Sequence, residues 1–86
     1  IMKRLNGSAR LARYVKVNGG VVYVYETVIP NVITIYVATY HDGEEERIYG
    51  VSISERYALE DAEIRWREMY VNDNPFSETL ERLGYS

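Results

Sequence analysis

Apolar residues recur along this chain with two different periods. Between Ala12 and Ile53 they alternate with polar ones, or run together briefly, between turn signals; from Leu59 onward they return every three or four positions. The first regime predicts strands and the second helices. A first strand runs from about Ala12 to Val17 and meets Asn18-Gly19, which suits a primed hairpin turn with positive φ at both central residues. A second runs from Val21 to about Val28 and stops at Pro30-Asn31, where proline removes a ladder donor. A third spans Val32 to Tyr40, Asp42-Gly43 supplies another hairpin signal, and a fourth spans Arg47 to Ile53. Three successive hairpins make an antiparallel meander. Ser54 is a good N-cap for a helix whose stripe is Leu59, Ala62, Trp66 and Met69, ending near Val71. Asp61–Arg65 and Glu63–Arg67 stand at the i,i+4 spacing of favourable ion pairs. After Asn72-Asp73-Asn74, Pro75 opens a short helix bearing Phe76, Leu80 and Leu83 and closed by Gly84. Two turns of helix are not stable alone, so this one must dock. The fold class is α+β: a three- to four-stranded meander, one main helix on a sheet face, and a short C-terminal helix.

Side chains alternate across a strand, so turn lengths decide which residues share a face. With two-residue turns throughout, Tyr14 opposes Tyr23, Tyr25 opposes Tyr36, and Tyr36 opposes Tyr49. The opposite face collects Val15, Val22, Val24, Val28, Ile33, Ile35, Val37 and Ile48, with Gly50 leaving a hole. Glu26 falls on this aliphatic face and suits it poorly. The main helix is expected on the aliphatic face, with Trp66 over Gly50, which leaves the tyrosine face open. The reverse docking would bare a Val/Ile face and demand a homodimer.

Composition sharpens this picture. The chain holds nine tyrosines. They are either ordinary strand residues of high β propensity or interface anchors with large rigid area and a hydroxyl. Charge is divided: residues 1–25 carry Lys3, Arg4, Arg10, Arg13 and Lys16 and no acid, whereas 26–86 carry thirteen acids against five arginines, so +5 and −8 make up the net −3. Residues 1–11 read as a basic N-terminal arm and 12–86 as one α+β domain. Met2 reads as the initiator, although a processed fragment would look the same. No stretch approaches the length of a membrane span. The absence of Cys fits a reducing, cytoplasmic setting.

The inventory of reactive groups is thin. With no Cys and one His, His41, neither a nucleophilic triad nor a zinc site can be assembled within one chain. His41 and Glu44 face one another across a turn and offer at most a loose cation grip. The carboxylates lie on turns and an outer helix face, and Asn18-Gly19-Gly20 opens a strand rather than a helix, so no phosphate loop exists. No enzyme, cofactor or metal is expected.

Strands followed by a helix, carried by Ile35-Tyr36-Val37-Ala38-Thr39-Tyr40, Asp42-Gly43, Ile48-Tyr49-Gly50-Val51-Ser52-Ile53, Tyr57-Ala58-Leu59-Glu60-Asp61-Ala62 and Trp66-Arg67-Glu68-Met69, resemble the three-stranded-sheet DNA-binding domains of phage integrases and APETALA-like domains. That resemblance implies a sheet seated in the major groove. This chain departs from it in having no Lys or Arg between Lys16 and Arg47, so phosphate neutralisation falls to Lys3, Arg4, Arg10, Arg13 and Lys16. The layout is also similar to small acidic phage proteins that inhibit bacterial defence, including anti-CRISPR proteins, through Asp42, Glu44, Glu45 and Glu46 and the helix acids Glu60, Asp61 and Glu68. It implies an inhibitor that occupies a basic groove.

The leading expectation is a protein-binding module for a partner with a basic surface. The acidic hairpin (Asp42, Glu44, Glu45, Glu46) would steer the encounter, and a tyrosine face (Tyr23, Tyr25, Tyr36, Tyr49) would supply buried anchors. The alternatives are a nucleic-acid-binding domain acting through the basic arm and a self-associating protein joined through a sheet face.

Overall fold

The computed structural model describes residues 9–85; Lys3 and Arg4 of the expected arm lie outside them. The elements follow the order β1 (Ala9–Val17), β2 (Gly20–Ile29), β3 (Ile33–His41), β4 (Glu46–Ser52), α1 (Glu55–Met69) and α2 (Pro75–Arg82). The strands form one antiparallel sheet in the order β1-β2-β3-β4, and both helices pack on the same face of it. This is the α+β meander with two helices that the periodicity predicts. β1 begins at Ala9, so Ala9, Arg10 and Leu11 belong to the sheet rather than to an arm.

Local signals place the helix ends. The Ser54 side chain accepts the Tyr57 N–H at the start of α1. The Asn74 side chain accepts from Phe76 and Ser77, with Pro75 in the first turn of α2. Ala58, Leu59, Ala62 and Trp66 form the buried stripe of α1, whereas Met69, expected in that stripe, is exposed. Phe76 and Leu80 dock α2 into the same core.

The turns differ from expectation, and the face lists change with them. Between β1 and β2 only Gly19 has positive φ (+93°); Asn18 does not, so this is not the doubly left-handed turn expected of Asn-Gly. Between β2 and β3, Ile29 pairs with Ile33, leaving three residues in the connection rather than two. The Val32 N–H bonds back to the Ile29 carbonyl and Asn31 takes φ +61°. Proline followed by a residue of positive φ is the chemistry of a type II turn, which does not match strand twist in a two-residue hairpin. The extra residue reverses the facing of the whole of β3.

Tyr36 therefore lies on the helix side with Ala38 and Tyr40, while Ile33, Ile35, Val37 and Thr39 take the other face with Tyr23 and Tyr25. Between β3 and β4, His41 pairs with Glu46 across a four-residue loop, and the register slips again where Thr39 faces Ile48 but Ala38 faces Gly50. Tyr49 sits in that bulge and turns into the core beneath α1. Two of the four tyrosines expected on the open face, Tyr36 and Tyr49, are thus on the helix-covered face. The helices do cover the face bearing Val15, Val22, Val24 and Gly50. What sits over Gly50 is the backbone of α1 rather than the Trp66 ring: a Cβ there would lie 2.1 Å from the Ala58 carbonyl oxygen and 2.7 Å from the Ala62 nitrogen.

Candidate functional site: an aromatic cleft at the acidic hairpin

The β3–β4 loop is fixed by its own side chains. Asp42 Oδ1 accepts the N–H groups of Glu44 (2.9 Å) and Glu45 (3.1 Å), and His41 Nδ1 accepts that of Gly43 (3.0 Å). These backbone donors hold the Asp42 carboxyl below the usual range, so it is charged at neutral pH. Glu44 and Glu45 are exposed on this rigid tip, and Glu45 pairs with Arg47 at 3.0 Å. Glu46 leaves the group. It is the first residue of β4 and accepts from Tyr25 Oη (2.6 Å) and Thr39 Oγ1 (2.6 Å) on the face away from the helices. Burial opposes its charge, the bonds from Thr39 and Tyr25 favour it, and its pKa is lowered.

On the helix side of the same hairpin opens a cleft of about 490 Å³. Its apolar wall is aromatic: Tyr40 from β3, Tyr49 from the β4 bulge, Trp66 from α1, and Tyr70 just after it. Trp66 is the hub, 5.2 Å from Tyr40 edge-on, 5.3 Å from Tyr49 and 4.4 Å from Tyr70 between ring centroids. Phe76 backs the cluster at 5.4 Å from Tyr49. Burial, with the Asp42 charge added, raises the Tyr40 pKa, and burial with the neighbouring Tyr70 hydroxyl pushes Tyr49 up to about 12, so both phenols stay neutral. The rim carries four carboxylates, Asp42 and Glu45 from the hairpin, Asp73 from the α1–α2 connection and Glu78 from α2; Arg47 is the one base among the lining residues, and Glu78 is paired from outside the cleft with Arg82 at 2.7 Å. Trp66 Nε1 is buried and has no hydrogen-bond partner among the described residues.

The remaining expected site residues fall elsewhere. Tyr14, Tyr23 and Tyr25 do form a ladder on the helix-free face, with centroids 6.4 and 6.1 Å apart. Leu11, Ile48 and Val51 are exposed there. Tyr36 instead donates to Glu26 Oε2 (2.8 Å) on the helix side, which lowers the Glu26 pKa. Arg10 completes that group at 2.7 Å from Glu26. Arg13 pairs with Glu55 at 2.8 Å, and Tyr85 donates to the other Glu55 oxygen at 2.6 Å. Two of the five expected phosphate contacts are thereby committed to carboxylates of the same chain. Lys16 is exposed, makes no ion pair among the described residues, and its carbonyl accepts from Arg82.

Of the acidic hairpin residues, Asp42 and Glu45 line the cleft and Glu44 and Glu46 do not. The lining comes from the first turn, β3, β4, both helices and the loop between them, and no local motif marks that convergence. One signal was available: the aromatic pair Trp66 and Tyr70, four residues apart at the end of the expected helix. Among the described residues, no three His, Asp or Glu side chains are grouped to hold a metal ion, and no helix is long and apolar enough to cross a membrane. Comparison with protein families, curated proteins and solved structures finds no match to this chain.

Proposed function

We propose that this chain is a non-enzymatic protein-binding module that engages a basic surface of its partner through the acidic hairpin end. The observation that carries this is the convergence of Asp42, Glu45, Asp73 and Glu78 around a cleft with an aromatic wall. Exposed carboxylates raise the rate of encounter with a basic surface, and a concave aromatic wall provides area to bury once contact is made. The rigidity of the Asp42 turn supports it too, because little ordering entropy is lost when a preformed loop binds. Seated in a groove that otherwise holds nucleic acid, such an end would act as an inhibitor.

The test begins with light scattering on the purified protein, alone and with short single- and double-stranded DNA at low salt. The binding-module reading expects no DNA complex. It also expects that proteins captured from lysate carry basic patches and are lost when Glu44 and Glu45 are both changed to Gln. A DNA complex that dissociates as salt rises, or capture indifferent to the hairpin charges, overturns it.

A further inference from the structure

We propose that the aromatic cleft is a socket for an arginine side chain presented by a peptide segment of the partner. This rests on the binding-module reading and adds the identity of the anchor. Two observations converge on a guanidinium. The wall formed by Tyr40, Trp66 and Tyr70 is aromatic, and a guanidinium stacks on such rings while remaining charged. The rim carries Glu45 from the β3–β4 loop and Asp73 from the α1–α2 connection, and carboxylates bind the planar guanidinium fork through paired bonds that an ammonium cannot match. A volume of about 490 Å³ lies within the range of sites that enclose small ligands.

Arg47 gives the idea its sharpest consequence. It is the one base on the rim and pairs with Glu45 at 3.0 Å, with both side chains more than half exposed. An incoming arginine must compete with it for Glu45 and is repelled by its charge. Removing Arg47 should therefore strengthen binding, which loss of a merely structural group would not do.

The experiment is an ¹⁵N-HSQC titration of the whole chain, whose single tryptophan gives one indole resonance. The probes are Nα-acetyl-arginine methylamide and its neutral citrulline isostere. The arginine compound is expected to shift the Trp66 indole and the Glu45 and Asp73 amides saturably, with a dissociation constant on the order of millimolar. The citrulline compound should leave them in place. Arg47→Gln should tighten arginine binding by about three- to tenfold, as expected for removing a like charge at the surface. The pair Glu45→Gln and Asp73→Asn should weaken it by a similar factor with the thermal midpoint unchanged. Equal responses to citrulline, or to the matching lysine derivative, overturn the guanidinium socket, as do weaker binding in Arg47→Gln and tighter binding of free arginine than of the blocked form. An unresponsive cleft together with partner capture that still depends on Glu44 and Glu45 overturns the socket alone. Loss of that dependence overturns the binding-module reading beneath it.

Discussion

Gly50→Ala tests the packing that builds the cleft. Gly50 lies in β4 opposite Ala38, and its φ is not in the left-handed region, so alanine suits its backbone conformation. The obstacle is steric. The new methyl would sit 2.1 Å from the Ala58 oxygen and 2.7 Å from the Ala62 nitrogen, against 3.4 Å for ordinary contact. Both obstacles are helix backbone and cannot rotate away, so α1 must retreat by about 1.3 Å, the shortfall at Ala58. That retreat loosens Ala58, Leu59, Ala62 and Trp66 together. Forcing one methyl into a full core costs about 1–3 kcal/mol, and rigid backbone on the far side places this site at the upper end. Lower unfolded-state entropy for alanine offsets about 0.4–1 kcal/mol. A net loss of about 2 kcal/mol lowers the midpoint of a domain this size by roughly 8–16 °C. Thermal and urea unfolding followed by far-UV circular dichroism would measure it. A midpoint within about 2 °C of the parent would refute the reasoning, since about 0.5 kcal/mol is the most that shift allows. So would rescue by Ala62→Gly, which relieves only the 3.0 Å contact with the Ala62 methyl and leaves the backbone clash in place.

Other predictions rest on single interactions. Asn74 caps α2 and also donates from Nδ2 to the Glu63 carbonyl of α1 (3.0 Å), so Asn74→Ala should cost about 1–2 kcal/mol by urea denaturation, and Asn74→Asp, which keeps the cap, clearly less. Tyr49 has a folded-state pKa raised from 10.0 to about 12, so its stabilising effect is complete below pH 10 and is lost as pH rises toward 12; Tyr49→Phe should flatten that alkaline limb of the stability profile. The Glu46 pKa is lowered from 4.5, so its contribution is present above that value and drains away as pH falls through the lower folded value. Acid unfolding of Glu46→Gln should therefore depend less on pH below about 4.5. Tyr36→Ala should lower the thermal midpoint, because Tyr36 packs against the core beneath the helices and bonds to Glu26; an unchanged midpoint would contradict that placement.

A signal for the reversed strand was present in the sequence. Glu26 sits badly among Val22 and Val24 unless something on the same face bonds to it, and Tyr36 does so only if β3 is reversed. Pro30-Asn31 pointed the same way, since it favours a turn that two-residue hairpins avoid. The bulge at Tyr49 had no comparable local mark. It is favoured by what lies above it, a bare Gly50 that admits the α1 backbone and a Trp66–Phe76 pair that receives the Tyr49 ring.

The sequence by itself determined the α+β class, the order of strands and helices, the caps at Ser54 and Asn74, and the division of charge. These depend on neighbours within a turn or two, where spacing and residue type act directly on the backbone. Tertiary structure fixed the facing of β3, which the sequence only signalled, and it alone decided the inward turn of Tyr49 and the cleft. Facing follows from the parity of one connection, and a single added residue moves Tyr36 and Val37 to opposite sides of the sheet. The cleft needs Tyr40, Tyr49, Trp66 and Asp73 in one place, and only the packing of α1 on Gly50 puts them there.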